Sequence, residues 1–155
     1  MKRRSFLKGT LATGVAAVAV NAGLLTPSAV LADWNQAAFD SKKVDDAIKA
    51  AFGTSATSES GDVMLKAPEI AENGAVTPVT VDATKMNGVE AIAILADKNP
   101  KPLVCIYNYS GPALGYVSTR IKMGETMNVI AVVKAGGKLY KAQQQVKVTI
   151  GGCGG

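Results

Sequence analysis

From residue 62 onward, the chain consists of short apolar or alternating runs separated by turn-forming residues. Polar and apolar positions alternate in residues 117–121 and 146–150, which indicates strands with one packed and one solvated face. Gly136-Gly137 fits a two-residue hairpin turn, and Pro78 within its run indicates a sheet edge or a bulge. Seven strands are predicted, at Asp62–Ala67, Val76–Asp82, Gly88–Ala96, Leu103–Tyr109, Tyr116–Met123, Met127–Ala135 and Lys138–Ile150.

Helical periodicity occurs in one short stretch before these strands. Ser41 is a suitable N-cap, and Gly53 stands where a left-handed residue would end the helix. The apolar positions between them have helical spacing: Val44, Ala47, Ile48, Ala51 and Phe52. The sequence therefore predicts a mainly β fold, an immunoglobulin-like antiparallel β-sandwich with a short N-terminal amphipathic helix.

The chain divides into four predicted segments. Residues 1–32 are a leader, residues 33–61 hold the helix and a loop, and residues 62–150 form the β-sandwich. Residues 151–155 form a glycine-rich arm, which we expect to be flexible because glycine prefers no single backbone region.

The leader has the order of a secretory signal: a cationic start, an apolar run and a small-residue cleavage site after Ala32. Its apolar run, Leu11 to Leu25, is short for a membrane span. Arg3 and Arg4 begin a stretch that resembles the twin-arginine (Tat) export signal: Arg3-Arg4-Ser5-Phe6-Leu7-Lys8. Lys2 departs from the pattern, which usually has Ser or Thr at this position. The resemblance implies export to the periplasm in a folded state.

The positive charge of the chain lies mostly in this leader. The full sequence carries 17 basic and 12 acidic residues, a formal charge of +5. Residues 1–32 contain four of these basic residues and none of the acidic ones, so 13 cations and 12 anions remain after cleavage, a net charge of +1. The remaining cations are scattered, which argues against nucleic-acid binding, and no membrane association is expected after cleavage.

The residue types present exclude several kinds of catalytic site. The sequence contains no histidine, which removes Ser-His-Asp and Cys-His catalysis and most zinc sites. No P-loop, dinucleotide fingerprint or paired carboxylate motif is present, and the methionines form no metal-binding repeat. We therefore expect no metal, no cofactor and no enzymatic activity of the chain by itself.

The last five residues contain Cys153, the one thiol that is expected to be exposed from its sequence surroundings alone. Cys153 has two glycines on each side, Gly151, Gly152, Gly154 and Gly155, and these offer no side chains to bury it. A narrow arm of this kind lets the sulfur enter a cleft on another protein. With an ordinary pKa of about 8.5 the thiol is mostly protonated at neutral pH, so its activation must come from the receiving pocket.

A leader, a β domain and a terminal Gly-Gly-Cys-Gly-Gly together resemble the SoxY family, the sulfur carriers of the bacterial thiosulfate-oxidising (Sox) system. The resemblance implies that Cys153 is the covalent attachment site for sulfur intermediates and that the glycines form the arm. It also implies a heterodimer with a SoxZ-like subunit. Transient partners would be a SoxAX-type haem enzyme, a SoxB-type hydrolase and, in some systems, a sulfane dehydrogenase.

Alternatives remain open for both cysteines. Cys105 lies within a predicted strand, where an inert core cysteine is favoured and a disulfide to Cys153 would be an inactive state of the arm. Cys153 could instead link two chains. Two other functions compete with the sulfur carrier: a carrier whose terminal Gly-Gly carboxylate becomes a thiocarboxylate, and a non-catalytic β-sandwich interaction module.

Overall fold

The computed structural model describes residues 35–149. Two helices come first, α1 (Gln36–Asp40) and α2 (Val44–Phe52), and one 3₁₀ turn, Gly74–Val76, lies between β3 and β4. The strands are β1 (Ser58–Glu59), β2 (Met64–Lys66), β3 (Ile70–Ala71), β4 (Thr77–Asp82), β5 (Val89–Ala96), β6 (Leu103–Asn108), β7 (Tyr116–Ile121), β8 (Met127–Ala135) and β9 (Lys138–Val148).

The strands form two sheets. The larger sheet has the order β1-β9-β8-β5-β6, with β3 pairing with β9 as well, and the smaller sheet has the order β2-β4-β7. The long neighbours are antiparallel, whereas the two-residue strands β1 and β3 pair with β9 in parallel. The predicted mainly β sandwich with a short N-terminal helix is confirmed.

Two cores result from this arrangement, one on each face of the larger sheet. Ile92 and Ile94 of β5 face the smaller sheet and pack in the first core. Ala93 and Leu95 face the other way, toward the helices, and pack in the second core with Ile48 of α2. Because β5 is buried on both faces, its sequence is an almost continuous apolar run.

All seven predicted strands are present, most of them shortened by one or two residues at the ends. The sequence did not predict β1 and β3, because two residues are too few to show a periodicity. Pairing with the longer strand β9 makes both of them strands, and α1 was missed for the same reason of length.

The predicted helix is correct at its end and wrong at its start. Gly53 has φ 83° and donates its N–H to the Lys49 carbonyl at 2.8 Å, as expected of a left-handed stop. The helix begins at Val44 and not at Ser41, which is the C-terminal cap of α1. The Ser41 hydroxyl donates to the Ala37 carbonyl at 2.8 Å, so it completes the preceding helix.

Both predicted turn features have a structural basis. Gly136 and Gly137 have φ 56° and 73° and join β8 to β9, as the hairpin pattern requires. Among the described strands, Pro78 pairs only with β7, because β2 reaches no further along β4 than Thr80. Its missing N–H therefore costs no ladder hydrogen bond on the free side. Within residues 35–149, no helix has the length and apolarity needed to span a membrane.

Candidate functional site at the carboxyl end of β9

The predicted site residues follow the last strand directly. Cys153 and the glycines at 151, 152, 154 and 155 lie outside the described residues, and so do Arg3 and Arg4. What the structure describes is the segment from which the predicted arm leaves the domain, residues 146–149, here called the arm base. The surroundings of the arm base determine where Cys153 can act.

Both edges of the arm base are held by hydrogen bonds. On one side the Val148 N–H donates to the Thr126 hydroxyl at 3.0 Å. This bond lies just beyond Met127 and Val146, the last residue pair of β8 and β9. On the other side the Thr149 N–H donates to the Ala71 carbonyl at 3.1 Å. The backbone is therefore fixed as far as Thr149, four residues before the thiol.

The segment that holds the second edge is residues 69–76, here called the strap. Its parallel pairing with β9 aligns Ile70 with Lys147, and the Lys147 N–H donates to the Glu69 carbonyl at 2.9 Å. Further along the strap, the Met123 N–H donates to the Gly74 carbonyl at 2.7 Å. The strap thus joins the arm base to the end of the smaller sheet.

Gly74 is required by the close approach of the strap to its neighbours. A Cβ added there would overlap the Met123 carbonyl oxygen and would lie 2.9 Å from Cγ1 of Val148. In the sequence, Asn73-Gly74 has the composition of a turn and nothing that links it to the last strand. Because the contacts are made by residues distant in sequence, the link to the arm base becomes visible only in the fold.

The side chains around the arm base include charged groups of both signs and two exposed apolar residues. Ile70 is 56% exposed and Val76 is 51% exposed, both on the strap. The carboxylates of Glu69 and Glu72 are exposed on the same segment. Sequence reasoning missed this surface, although an Ile and a Val within a turn-rich segment are an available indication of it.

Within residues 35–149, the polar side chains around the arm base include carboxylates, lysines and hydroxyls. Among residues 35–149, no group of three or more Cys, Asp or Glu side chains is arranged to hold a metal ion. The chain as a whole has no histidine. With these side chains the arm base can position a thiol but has no imidazole to deprotonate it.

Cys105 lies far from the arm base, on the edge strand β6. It is half-buried, and burial raises the pKa of its thiol, while hydrogen bonds with Tyr107 and the Ile94 backbone act weakly in the other direction. The strand register aligns Cys105 with Ile94, Ala131 and Ala142 across the larger sheet. Cys105 therefore lies three strands away from β9. Along the strand direction it is level with Ala142, which is seven residues before Thr149.

This register rules out the disulfide between Cys105 and Cys153 while the sheet is intact. Three strand spacings and seven residues of rise place the Cα atoms of Cys105 and Thr149 about 27 Å apart. Four extended residues span about 14 Å, and a disulfide adds at most about 7 Å between Cα atoms. The inactive state considered from the sequence is therefore excluded by the distance.

Comparison with known proteins gives one family. The family model described as "Sulfur oxidation protein SoxY" matches residues 48–153, more than half of the chain, and the match ends at Cys153. No significant match is found among curated proteins.

Two solved structures provide a further comparison. The sulfur carrier protein SoxY from Chlorobium limicola f thiosulfatophilum is 46% identical with a TM-score of 0.63, covering 70% of this chain and 97% of that chain. An engineered protein is 13% identical with a TM-score of 0.39, covering 57% of this chain and 20% of that chain. The second likeness is too weak to carry an argument.

Proposed function

The chain belongs to the SoxY family of sulfur oxidation proteins, and from this premise we propose that it carries sulfur intermediates of thiosulfate oxidation covalently on Cys153. The observation that supports this most directly is the extent of the family match, which includes the glycine-flanked cysteine at residue 153. An arm base ordered to Thr149 suits this role, because the arm then starts from a fixed point and the thiol stays within about 14 Å of it.

The chain contributes the thiol, and its partners contribute the catalysis. An unperturbed cysteine has a pKa of about 8.5, so only a few per cent of it is thiolate at neutral pH. No histidine is present to act as its base. The receiving pocket must therefore deprotonate Cys153, which is why we assign the chain a carrier role and no enzymatic activity.

The proposed cycle has a loading step and a hydrolytic step. In loading, a sulfur–sulfur bond forms between Cys153 and thiosulfate, the thiol loses its proton, and two electrons pass to a haem enzyme of the SoxAX type. In hydrolysis, a SoxB-type enzyme adds water to the terminal sulfone, which leaves as sulfate while a persulfide remains on Cys153. A sulfane dehydrogenase can oxidise the remaining sulfur.

We also propose a SoxZ-like partner subunit and export through the Tat route to the periplasm. Arg3 and Arg4 in the leader support the export route. For the partner, the supporting feature is the pair of strands β6 and β7, each of which has one edge without a neighbouring strand among the described residues. An uncharged edge such as Leu103–Asn108 is a suitable surface for pairing with another chain.

Intact-mass analysis tests the carrier function. The protein is purified from thiosulfate-grown cells in the wild-type, Cys153→Ser and Cys105→Ser forms, and is measured before and after a reductant. Sulfane or thiosulfonate adducts are expected in the wild type and in Cys105→Ser, reversible on reduction, and absent in Cys153→Ser.

Other outcomes would identify the competing functions. A mass change at the terminal carboxylate would support the thiocarboxylate carrier, and unmodified protein in cells that oxidise thiosulfate would support an interaction module. The partner proposal is tested by purification from the periplasm, where an active, stable monomer would contradict it. Replacing Arg3 and Arg4 by Lys should retain the chain in the cytoplasm.

A further inference from the structure

We propose that the strap, residues 69–76, is the docking surface for the enzymes that receive Cys153, and that it binds an apolar, basic rim around their channel entrance. This inference rests on the proposed carrier function and assigns the partner surface of that same site. Four observations carry it: the exposed apolar side chains, the fixed link to the arm base, the length of chain beyond Thr149, and the charge of the strap.

The first observation is the exposure of Ile70 and Val76. They are two of the five large hydrophobic residues that the described part of the chain exposes, at 56% and 51%. The other three are Met64, Leu114 and Tyr116. Met64 and Tyr116 pair with Asp82, at the end of β4 opposite to Thr77, so they lie away from the strap. With Ile70 and Val76 exposed on one short segment beside the arm base, apolar area is available there for contact with another protein.

The second observation is that the strap and the arm base form one hydrogen-bonded unit. Backbone hydrogen bonds join Lys147 to Glu69 at 2.9 Å and Thr149 to Ala71 at 3.1 Å, and Gly74 is packed against Val148. A partner bound to the strap is therefore held at a fixed distance from the point where residue 150 begins.

The third observation is the short length of chain between this point and the thiol. Cys153 is four residues beyond Thr149 and can move no more than about 14 Å from it. An enzyme whose reacting centre lies inside a channel must therefore bring its surface against the residues around Thr149. The strap borders the whole of one edge of the arm base, so it lies within this contact.

The fourth observation is the charge of the strap. It contains two carboxylates, Glu69 and Glu72, and no cation, whereas Lys147 and Lys122 lie beside it on β9 and after β7. The proposed cargo is an anion, so an enzyme that accepts it needs cationic groups in its channel. A basic channel entrance and an acidic strap are complementary in charge.

The same properties argue against two other occupants of the strap surface, the terminal arm of this chain and a second copy of the chain. The terminal arm contains four glycines and cannot cover Ile70 and Val76 with side chains of its own. In a two-fold contact centred on the strap, Glu69 and Glu72 would face a segment that carries no cation of its own. A partner of opposite charge fits the surface better than either.

The test measures hydrolysis of Cys153-bound thiosulfonate by the partner hydrolase purified from the same cells. Ile70→Ser, Val76→Thr and Glu72→Lys alter the strap. Leu114→Ser and Glu59→Lys are matched controls away from the arm base, because Leu114 lies beside Tyr116 and Glu59 pairs with Lys141, six residues before Lys147. We expect KM to rise about tenfold in the strap variants with kcat nearly unchanged, as for loss of a contact residue at an interface. The controls should stay near the wild-type KM.

Two further measurements separate docking from folding and from the function itself. Thermal unfolding and the rate of Cys153 reaction with a small disulfide reagent should be equal in all variants. Equal KM values for strap and control variants would overturn the docking proposal, as would loss of the partner subunit on purification of the strap variants. Failure of the wild type to carry thiosulfonate would instead overturn the proposed function.

Discussion

At the scale of single residues, the two cysteines differ in their surroundings. Cys105 is half-buried in β6, and burial raises the pKa of its thiol. Cys153 has only glycine neighbours in the sequence. Burial favours the neutral thiol over the thiolate, so the two sulfurs differ in reactivity before any partner binds.

Alkylation measures this difference. In the native protein at pH 7 to 8, iodoacetamide should modify Cys153 at least about tenfold faster than Cys105, because only the thiolate reacts and access to Cys105 is restricted. The two sites are followed by peptide mass analysis. In the Cys153→Ser variant, the remaining thiol of Cys105 should react slowly in the folded protein and at the ordinary rate in urea. Rapid modification of Cys105 in the folded protein would contradict this prediction.

Thr77 is a second residue whose environment determines its contribution. Its side chain is fully buried at the start of β4, and no hydrogen-bond partner for its hydroxyl lies among residues 35–149. A buried unpaired hydroxyl costs about 1–3 kcal/mol in lost hydration. Thr77→Val keeps the shape and removes this cost, so we expect the free energy of unfolding to rise by about 1 kcal/mol.

Urea denaturation of wild type and Thr77→Val checks the expectation. Val79→Thr is the opposite control, because it places a hydroxyl at another fully buried position of the same strand and should destabilise the fold. A lower stability of Thr77→Val would show that the hydroxyl has a partner in solution.

At the scale of elements, the strap is a short segment that changes what β9 can do. The two-residue pairing of β3 extends the hydrogen bonding of β9 through Thr149. Without the strap, the last residues of β9 would have hydrogen bonds on the β8 side only. The position of the arm base therefore depends on a segment nearly 80 residues earlier in the chain.

Gly74→Ala tests the contribution of the strap. The new methyl group would overlap the Met123 carbonyl and press against Val148, an overpacking that costs about 1–3 kcal/mol. We expect faster hydrogen exchange of the Thr149 amide and a lower free energy of unfolding. Gly61→Ala is the matched control, since an added Cβ there meets nothing within 4 Å. Unchanged exchange at Thr149 would contradict the assigned role of Gly74.

At the scale of the whole molecule, a few exposed hydrogen bonds and ion pairs connect segments that are distant in sequence. Lys101 pairs with Asp40 and links α1 to the β5–β6 loop. Glu90 pairs with Lys134 at 2.8 Å and accepts from the Gly137 N–H at 3.0 Å. Hydrogen bonds lower the pKa of three carboxyls. Lys101 donates to Asp40 and Lys134 donates to Glu90. The Thr84 hydroxyl donates to Asp82.

These shifts give a direction for the pH dependence of stability. A carboxyl whose pKa is lower in the folded state stabilises the fold above its unfolded pKa and loses this contribution as the pH falls through the folded pKa. The urea midpoint should therefore be nearly constant from pH 7 to 5 and should decline below about pH 4. Glu90→Gln should show a smaller decline. A midpoint that rises on acidification would contradict the assignment.

Local sequence patterns were enough to predict the order of the longer elements and to place a thiol in the tail. Alternation and turn residues indicated all seven long strands, and Gly-Gly-Cys-Gly-Gly identified the thiol and the family, because local patterns of this kind need no tertiary contact. The helix start was misplaced by three residues, since Ser41 suits either the end of α1 or the start of α2.

The surroundings of the arm base, by contrast, depend on tertiary packing. The strap pairs with β9 across more than 70 residues of sequence, and the separation of Cys105 from the arm base depends on the register of four strands. Neither follows from a local pattern, because strand order and register are set by the packing of both faces of the sheet. The exposed side chains of Ile70 and Val76 acquire a functional meaning only through that placement.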